Sequence, residues 1–199
     1  MVAVPAYGAA PLAKTFVVTR GLSLIAIICI VGLTANFVSQ IVGSNVDPPH
    51  EIVGTLVITC MAGLYCFISV PYFYSNANVG LLVMTGLDLC LWLSFVVISL
   101  VLGKPISFLQ CQTLPNISAA ANAQLSSAYT LSLASNLGKS GSTLGLQNWA
   151  GSTRVNCYET KALWGLCIAL AILYTCSSII LPTLWYKARR AAGGPKSVV

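Results

Sequence analysis

Asp88, the cysteine pair Cys111 and Cys157, and Asn116 are the residues of this sequence with chemistry to offer, and each stands alone in its surroundings. Asp88 lies in the apolar run Gly86-Leu87-Asp88-Leu89-Cys90-Leu91-Trp92. An ionised carboxylate at the centre of a bilayer costs at least about 2.5–3.5 kcal/mol on insertion scales, so such a residue has a function or a partner. Two uses are open to it. One is the handling of a proton or cation. The other is a protonated carboxyl that hydrogen-bonds a polar group on a neighbouring helix, a contact of about 0.6–2 kcal/mol. Asn36, Thr34 and Thr59 are the candidate partners. A proton relay needs further titratable groups along its path, and no second Asp, Glu, His, Lys or Arg lies in the middle of an apolar run. That isolation favours the packing role.

Of eight cysteines, Cys29, Cys60, Cys66, Cys90, Cys167 and Cys176 fall inside apolar runs, whereas Cys111 and Cys157 bracket the longest polar segment. If that segment folds in an oxidising compartment, the two close a disulfide. Asn116-Ile117-Ser118 is an N-glycosylation sequon in the same segment. Catalysis finds no support. The sole histidine, His50, stands in a proline-rich turn beside Glu51, and one His with one Glu does not make a metal site. There is no Cys-x-x-Cys, glycine-rich phosphate loop or carboxylate pair. The reading is of a protein that is not an enzyme and holds no cofactor or metal.

The elements that must position these residues are four apolar runs, at about 17–40, 52–74, 79–103 and 162–186. Each exceeds the roughly 20 helical residues needed to cross a hydrocarbon core of about 30 Å. Only 7% of residues are charged and 57% are hydrophobic, against about 25% charged in an average soluble domain. The expected fold is all-α: an integral membrane four-helix transmembrane bundle with one long extracytoplasmic loop. Its parts are a tail at 1–16, the four-span domain at 17–187 with its outer loop at 104–161, and a tail at 188–199. The first run is too long for a signal-peptide core, so it is expected to stay in the mature chain. Gly165 and Ala169, Gly32 and Asn36, and Gly54, Ile58 and Ala62 are spaced for close helix packing within the bundle.

The formal charge is +6, and its distribution carries the orientation. Lys14 and Arg20 stand at the start of the first run, and Lys187, Arg189, Arg190 and Lys196 follow the last. The first two gaps contain no Lys or Arg, while Lys104, Lys139, Arg154 and Lys161 are spread along the third. The positive-inside rule then places both termini in the cytoplasm. Basic residues beside a membrane answer to anionic lipid rather than to nucleic acid. The expected partners are membrane lipids and further copies of the chain or other membrane proteins, with no nucleic acid.

Among four-span families, the chain resembles the MARVEL group, particularly its fungal members. The likeness rests on Arg20-Gly21-Leu22, on Asp88-Leu89-Cys90-Leu91-Trp92, and on Cys157-Tyr158-Glu159-Thr160-Lys161-Ala162 with Cys111, and covers about residues 14–187. It implies membrane apposition, lateral domain organisation or vesicle traffic at the plasma membrane, without a cofactor. The alternatives are a proton- or cation-coupled transporter or oligomeric pore using Asp88, and an auxiliary subunit of a larger membrane complex.

Overall fold

The computed structural model describes residues 10–43, 47–74, 78–106, 111, 146 and 154–192. Their long elements are helices: α1 (Ala10–Gly43), α2 (His50–Tyr74), α3 (Asn78–Ile106) and α4 (Arg154–Ala192). All four are long and apolar enough to cross a membrane. Even the shortest, α2 with 25 residues, rises about 37 Å, more than a hydrocarbon core of about 30 Å. Helices α1 and α4 run past the apolar stretches that announce them. Helix α1 begins in the segment 1–16, with Pro11 in its first turn, where a missing N–H costs nothing. Helix α4 begins at Arg154, inside the segment expected as loop. Apolarity locates the membrane portion of such a helix but not its polar extensions. Between α1 and α2, Pro48 and Pro49 stand just before α2 and lack a backbone N–H. The Pro49 carbonyl instead opens the ladder of α2 by accepting from the N–H of Ile52 and Val53 at 3.0 and 3.2 Å.

Each helix buries one seam with steps of three and four residues, apart from one step of seven on α3. On α1 it is Phe16, Arg20, Ser23, Ile27, Ile30, Thr34, Phe37 and Ile41; on α2, Ile52, Thr55, Thr59, Ala62, Cys66, Ser69 and Phe73. On α3 it runs Leu81, Met84, Asp88, Phe95, Ile98 and Leu102, and on α4 Asn156, Thr160, Leu163, Cys167, Leu170, Tyr174, Ser177, Leu181 and Leu184. This is the spacing of knobs-into-holes packing between helices. The opposite faces are as apolar as the seams, with Val18, Leu22, Ile25, Leu64, Phe67, Leu93 and Ile172 all exposed. What distinguishes the seams is their polar side chains. Most of the hydroxyls bond the carbonyl four residues back, as in Ser23 to Thr19, Thr34 to Ile30, Thr59 to Thr55 and Thr160 to Asn156. Such bonds satisfy a buried hydroxyl inside its own helix.

By contact density the chain divides into two units. One comprises residues 1–28, 60–96 and 169–199, the other residues 29–59 and 97–168. In the first, Ala13, Phe16, Phe73, Leu81, Met84, Leu181 and Leu184 form a buried apolar cluster, against which Leu12, Val17, Ile180 and Trp185 pack. Phe16 and Phe73 meet there with ring centroids 4.6 Å apart.

In the second unit Cys111 and Cys157 form a disulfide, with Cα atoms 5.6 Å apart. The indole N–H of Trp164 donates to the Ser99 carbonyl at 2.9 Å. That approach depends on Gly103, where an added Cβ would lie 2.8 Å from Trp164 Nε1. Gly103→Ala is therefore expected to destabilise the protein by about 1–3 kcal/mol, the usual cost of overpacking. Gly86→Ala is the comparison, because an added Cβ there meets nothing within 4 Å and Ala gains up to about 1 kcal/mol over Gly in a helix. Thermal unfolding in detergent reads the difference. Equal melting temperatures for the two variants would show that the indole does not need the glycine.

The glycines expected at close helix contacts do not include Gly103: Gly32, Gly54 and Gly165 have no neighbour among the described residues where a Cβ would stand. Ala62, by contrast, is fully buried. Asn116 lies outside the described residues.

Candidate functional site

The residues with unusual chemistry gather in the first unit, around Arg20. This arginine lies on the buried seam of α1, three residues before Ser23 and four after Phe16, so the helix turns it inward with them. It is 1% exposed. Its Nη2 donates to Oδ1 and Oδ2 of Asp88 at 2.5 and 2.7 Å, and to the Tyr65 hydroxyl at 3.0 Å. Ser177 Oγ donates to Asp88 Oδ2 at 2.5 Å. The Tyr65 hydroxyl in turn donates to the Met84 carbonyl at 3.1 Å. One arginine of α1 is thus tied to α2 through Tyr65 and to α3 through Asp88, and Asp88 is tied to α4 through Ser177.

Aromatic rings close the rest of the guanidinium. Its central carbon lies 5.0 Å from the Phe16 ring centre, 4.9 Å from that of Tyr65 and 5.6 Å from that of Tyr174. These are cation–π distances, and the attraction grows where water is excluded. Phe95 stacks on Tyr174, centroids 5.7 Å apart and planes 9° from parallel. The Tyr174 hydroxyl sits 3.3 Å from Cys66 Sγ, which is also 4.0 Å from Arg20 Nη1. Among the described residues, Arg20 Nε has no hydrogen-bond partner. The site is a charge pair sealed by rings rather than an open cleft.

This geometry corrects the sequence reading of Asp88 in two respects. Asp88 is not isolated: it is fully buried and forms the ion pair Arg20–Asp88. Arg20 is not a free charge at the edge of the first run, because it faces inward and is buried. The expected partners of Asp88 are engaged elsewhere. Thr34 and Thr59 bond carbonyls of their own helices, and the exposed Asn36 accepts from Gln40 Nε2 at 3.3 Å. A hydroxyl so close to its own backbone has little reason to seek a carboxylate on another helix.

Chemically, the carboxylate has both oxygens occupied by donors and the guanidinium holds it by charge. Such an arrangement fixes helices against one another. It does not present a nucleophile or an open coordination position. His50 and Glu51 are exposed at the start of α2. Among the described residues, no three His, Cys, Asp or Glu side chains gather as metal ligands do.

The class defined by these observations is an all-helical protein with four helices long and apolar enough to span a membrane, tied together in one of its units by a buried ion pair. Compared with known protein families, curated proteins and solved structures, the chain matches none.

Proposed function

We propose that the chain is a non-enzymatic membrane organiser of MARVEL-like type, acting in lateral membrane domains, membrane apposition or vesicle traffic, at the plasma membrane. The observation that carries this reading is the Arg20–Asp88–Ser177 connection. It commits two charges to holding helices together in one unit, which suits a protein whose outer faces do the work. Those faces carry Ile25, Ile28, Leu64, Phe67, Ile68, Leu87 and Leu93, all exposed and all suited to lipid or to a neighbouring membrane protein. Gly32, Gly54 and Gly165, each with open space beside it, permit close approach by another helix. Both termini face the cytoplasm in this proposal, and the segment between Cys111 and Cys157 lies outside with a glycan on Asn116.

A second reading is favoured by the same carboxylate. A buried intramembrane charge is a default mark of transport, and a channel or transporter would open the Arg20–Asp88 pair during its cycle. Reconstitution into liposomes separates the two. The organiser reading expects no flux of protons or small cations above empty liposomes. It also expects gentle extraction to yield homo-oligomers or many substoichiometric neighbours. Wild-type flux above empty liposomes, lost in an Asp88→Asn variant that is still folded, would establish the transporter. A single stoichiometric larger partner would instead make the chain an auxiliary subunit.

A further inference from the structure

The C-terminal end of α4 has a feature that the ion-pair core does not use. Tyr186, Arg189 and Arg190 line an open hollow of about 340 Å³. The Arg189 guanidinium lies over the Trp185 ring, 5.2 Å from its centre. Trp185 itself packs against the buried cluster of Ala13, Phe16, Leu181 and Leu184. A side chain that would otherwise sweep freely is thereby held to the protein core, with its N–H edges left for a ligand.

The charge around this hollow is unbalanced. The whole chain has four acidic residues, Asp47, Glu51, Asp88 and Glu159. Only Asp88 belongs to the same unit as the hollow, and Arg20 occupies it. Lys14, Lys187, Arg189 and Arg190 are exposed in that unit with no other carboxylate side chain in it. Lys14 follows Ala13, whose cluster also contains Leu184, so α1 brings a further cation to the end of the unit where α4 finishes.

We propose that the Tyr186–Arg189–Arg190 hollow binds the phosphate-bearing headgroup of an anionic phospholipid in the adjoining leaflet. The chemistry follows from the residues. Two guanidinium forks match phosphate oxygens better than ammonium groups do, because each offers paired N–H donors in a plane. Trp185 and Tyr186 are the side chains that settle at headgroup depth, with the ring in the acyl boundary and the polar edge toward water. A phosphate is the ligand that fits two arginines beside interfacial aromatics at the end of a membrane helix. A headgroup carrying more than one phosphate is expected to bind best, since it can engage both forks. This assignment concerns one end of the chain and stands whether or not the organiser reading holds.

The test uses the full-length protein in nanodiscs of zwitterionic lipid doped with phosphatidylserine or with a polyphosphorylated inositol lipid, and counts retained lipids by native mass spectrometry. Wild type is expected to retain the inositol lipid over the zwitterionic one, and to lose it as salt is raised. Arg189→Gln/Arg190→Gln is compared with Lys14→Gln/Lys187→Gln, which removes the same charge without touching the hollow. The arginine pair is expected to weaken retention at least about tenfold more than the lysine pair, because paired charge-assisted bonds exceed diffuse attraction. Arg189→Lys/Arg190→Lys, which keeps the charge and loses the forks, is expected to fall between wild type and the glutamine pair. All these side chains are exposed, so melting temperatures should match wild type, and this is checked alongside. Equal losses from the two glutamine pairs would overturn the proposal in favour of general electrostatic attraction. Binding of soluble inositol phosphate without any lipid preference in the bilayer would also overturn it.

Discussion

Arg20→Leu is expected to cost about 3 kcal/mol or more of folding stability, and Arg20→Leu/Asp88→Leu to recover most of that loss. The single change leaves the Asp88 carboxylate fully buried and without its cation, the Ser177 hydroxyl still bonded to it. Breaking a buried pair by removing one member typically costs about 3–5 kcal/mol, because the surviving charge is uncompensated. The lower end of that range is the expectation, because the Ser177 hydroxyl stays bonded to the carboxylate. For a chain of 199 residues, a loss of that size lowers the melting temperature by about 10 °C. The double variant removes both charges, and replacing a whole buried pair with apolar side chains is often neutral. The cycle of wild type, two singles and the double should then give a coupling of at least about 2 kcal/mol, near the upper part of the usual range for contacting residues. Thermal or denaturant unfolding in detergent reads all four proteins. A single Arg20→Leu variant within about 0.5 kcal/mol of wild type would show that the pair does not hold the helices. Asp88→Asn is expected to behave like Arg20→Leu, for it strands the cation instead.

That expectation differs from the one an isolated Asp88 would give, and the reason lies in how charge is read along a sequence. Positive residues at the start of an apolar run ordinarily mark the membrane edge. Arg20 has Lys14 six positions before it and an uninterrupted apolar run after it, so it fits that pattern. Its true placement follows from a different cue. Phe16, Arg20, Ser23 and Ile27 share the spacing of one helix face, which the structure buries. The four helices themselves were legible, because length and apolarity suffice to mark a membrane crossing. The buried faces were not. In a soluble helix the apolar stripe identifies the inside. Here Val18, Leu22 and Ile25 on the outside are as apolar as Ile27 and Ile30 on the inside. The information resides in the reverse signal. Ser23 and Thr34 on α1, Thr55, Thr59 and Ser69 on α2, and Thr160 and Ser177 on α4 all fall on seams. These buried hydroxyls fall at helix-face spacing, although Asn36 and Thr183 in the same runs are polar and exposed. Cys111 and Cys157 were easier, since only they lie outside the runs.

The second large effect is expected from the disulfide. Cys111→Ser should lower stability by about 4 kcal/mol in the chain-entropy treatment, which depends on the 46-residue separation between Cys111 and Cys157. Most of that effect arises in the unfolded chain, where the loop becomes free to explore many more arrangements. Contacts near the bond in the folded protein give a second handle. Cys157 is fully buried, on the same seam of α4 as Thr160 and Leu163. Loss of the bond should therefore loosen the start of α4 before the region of Tyr174 and Ser177, which belongs to the unit held by the ion pair. Hydrogen exchange is expected to rise from Arg154 through Thr160 in Cys111→Ser while the Arg20–Asp88 neighbourhood keeps its protection. The same variant reports on compartment. Wild-type protein from cells should resist thiol alkylation at Cys111 and Cys157 until a reductant is added, since a bond of this kind persists where folding is oxidising. A glycosidase applied to the same samples tests the proposed glycan on Asn116 by a mobility shift. Thiols that alkylate freely in wild type, or exchange that rises equally throughout the chain, would refute a loop closed outside the membrane and anchored independently of the charge pair.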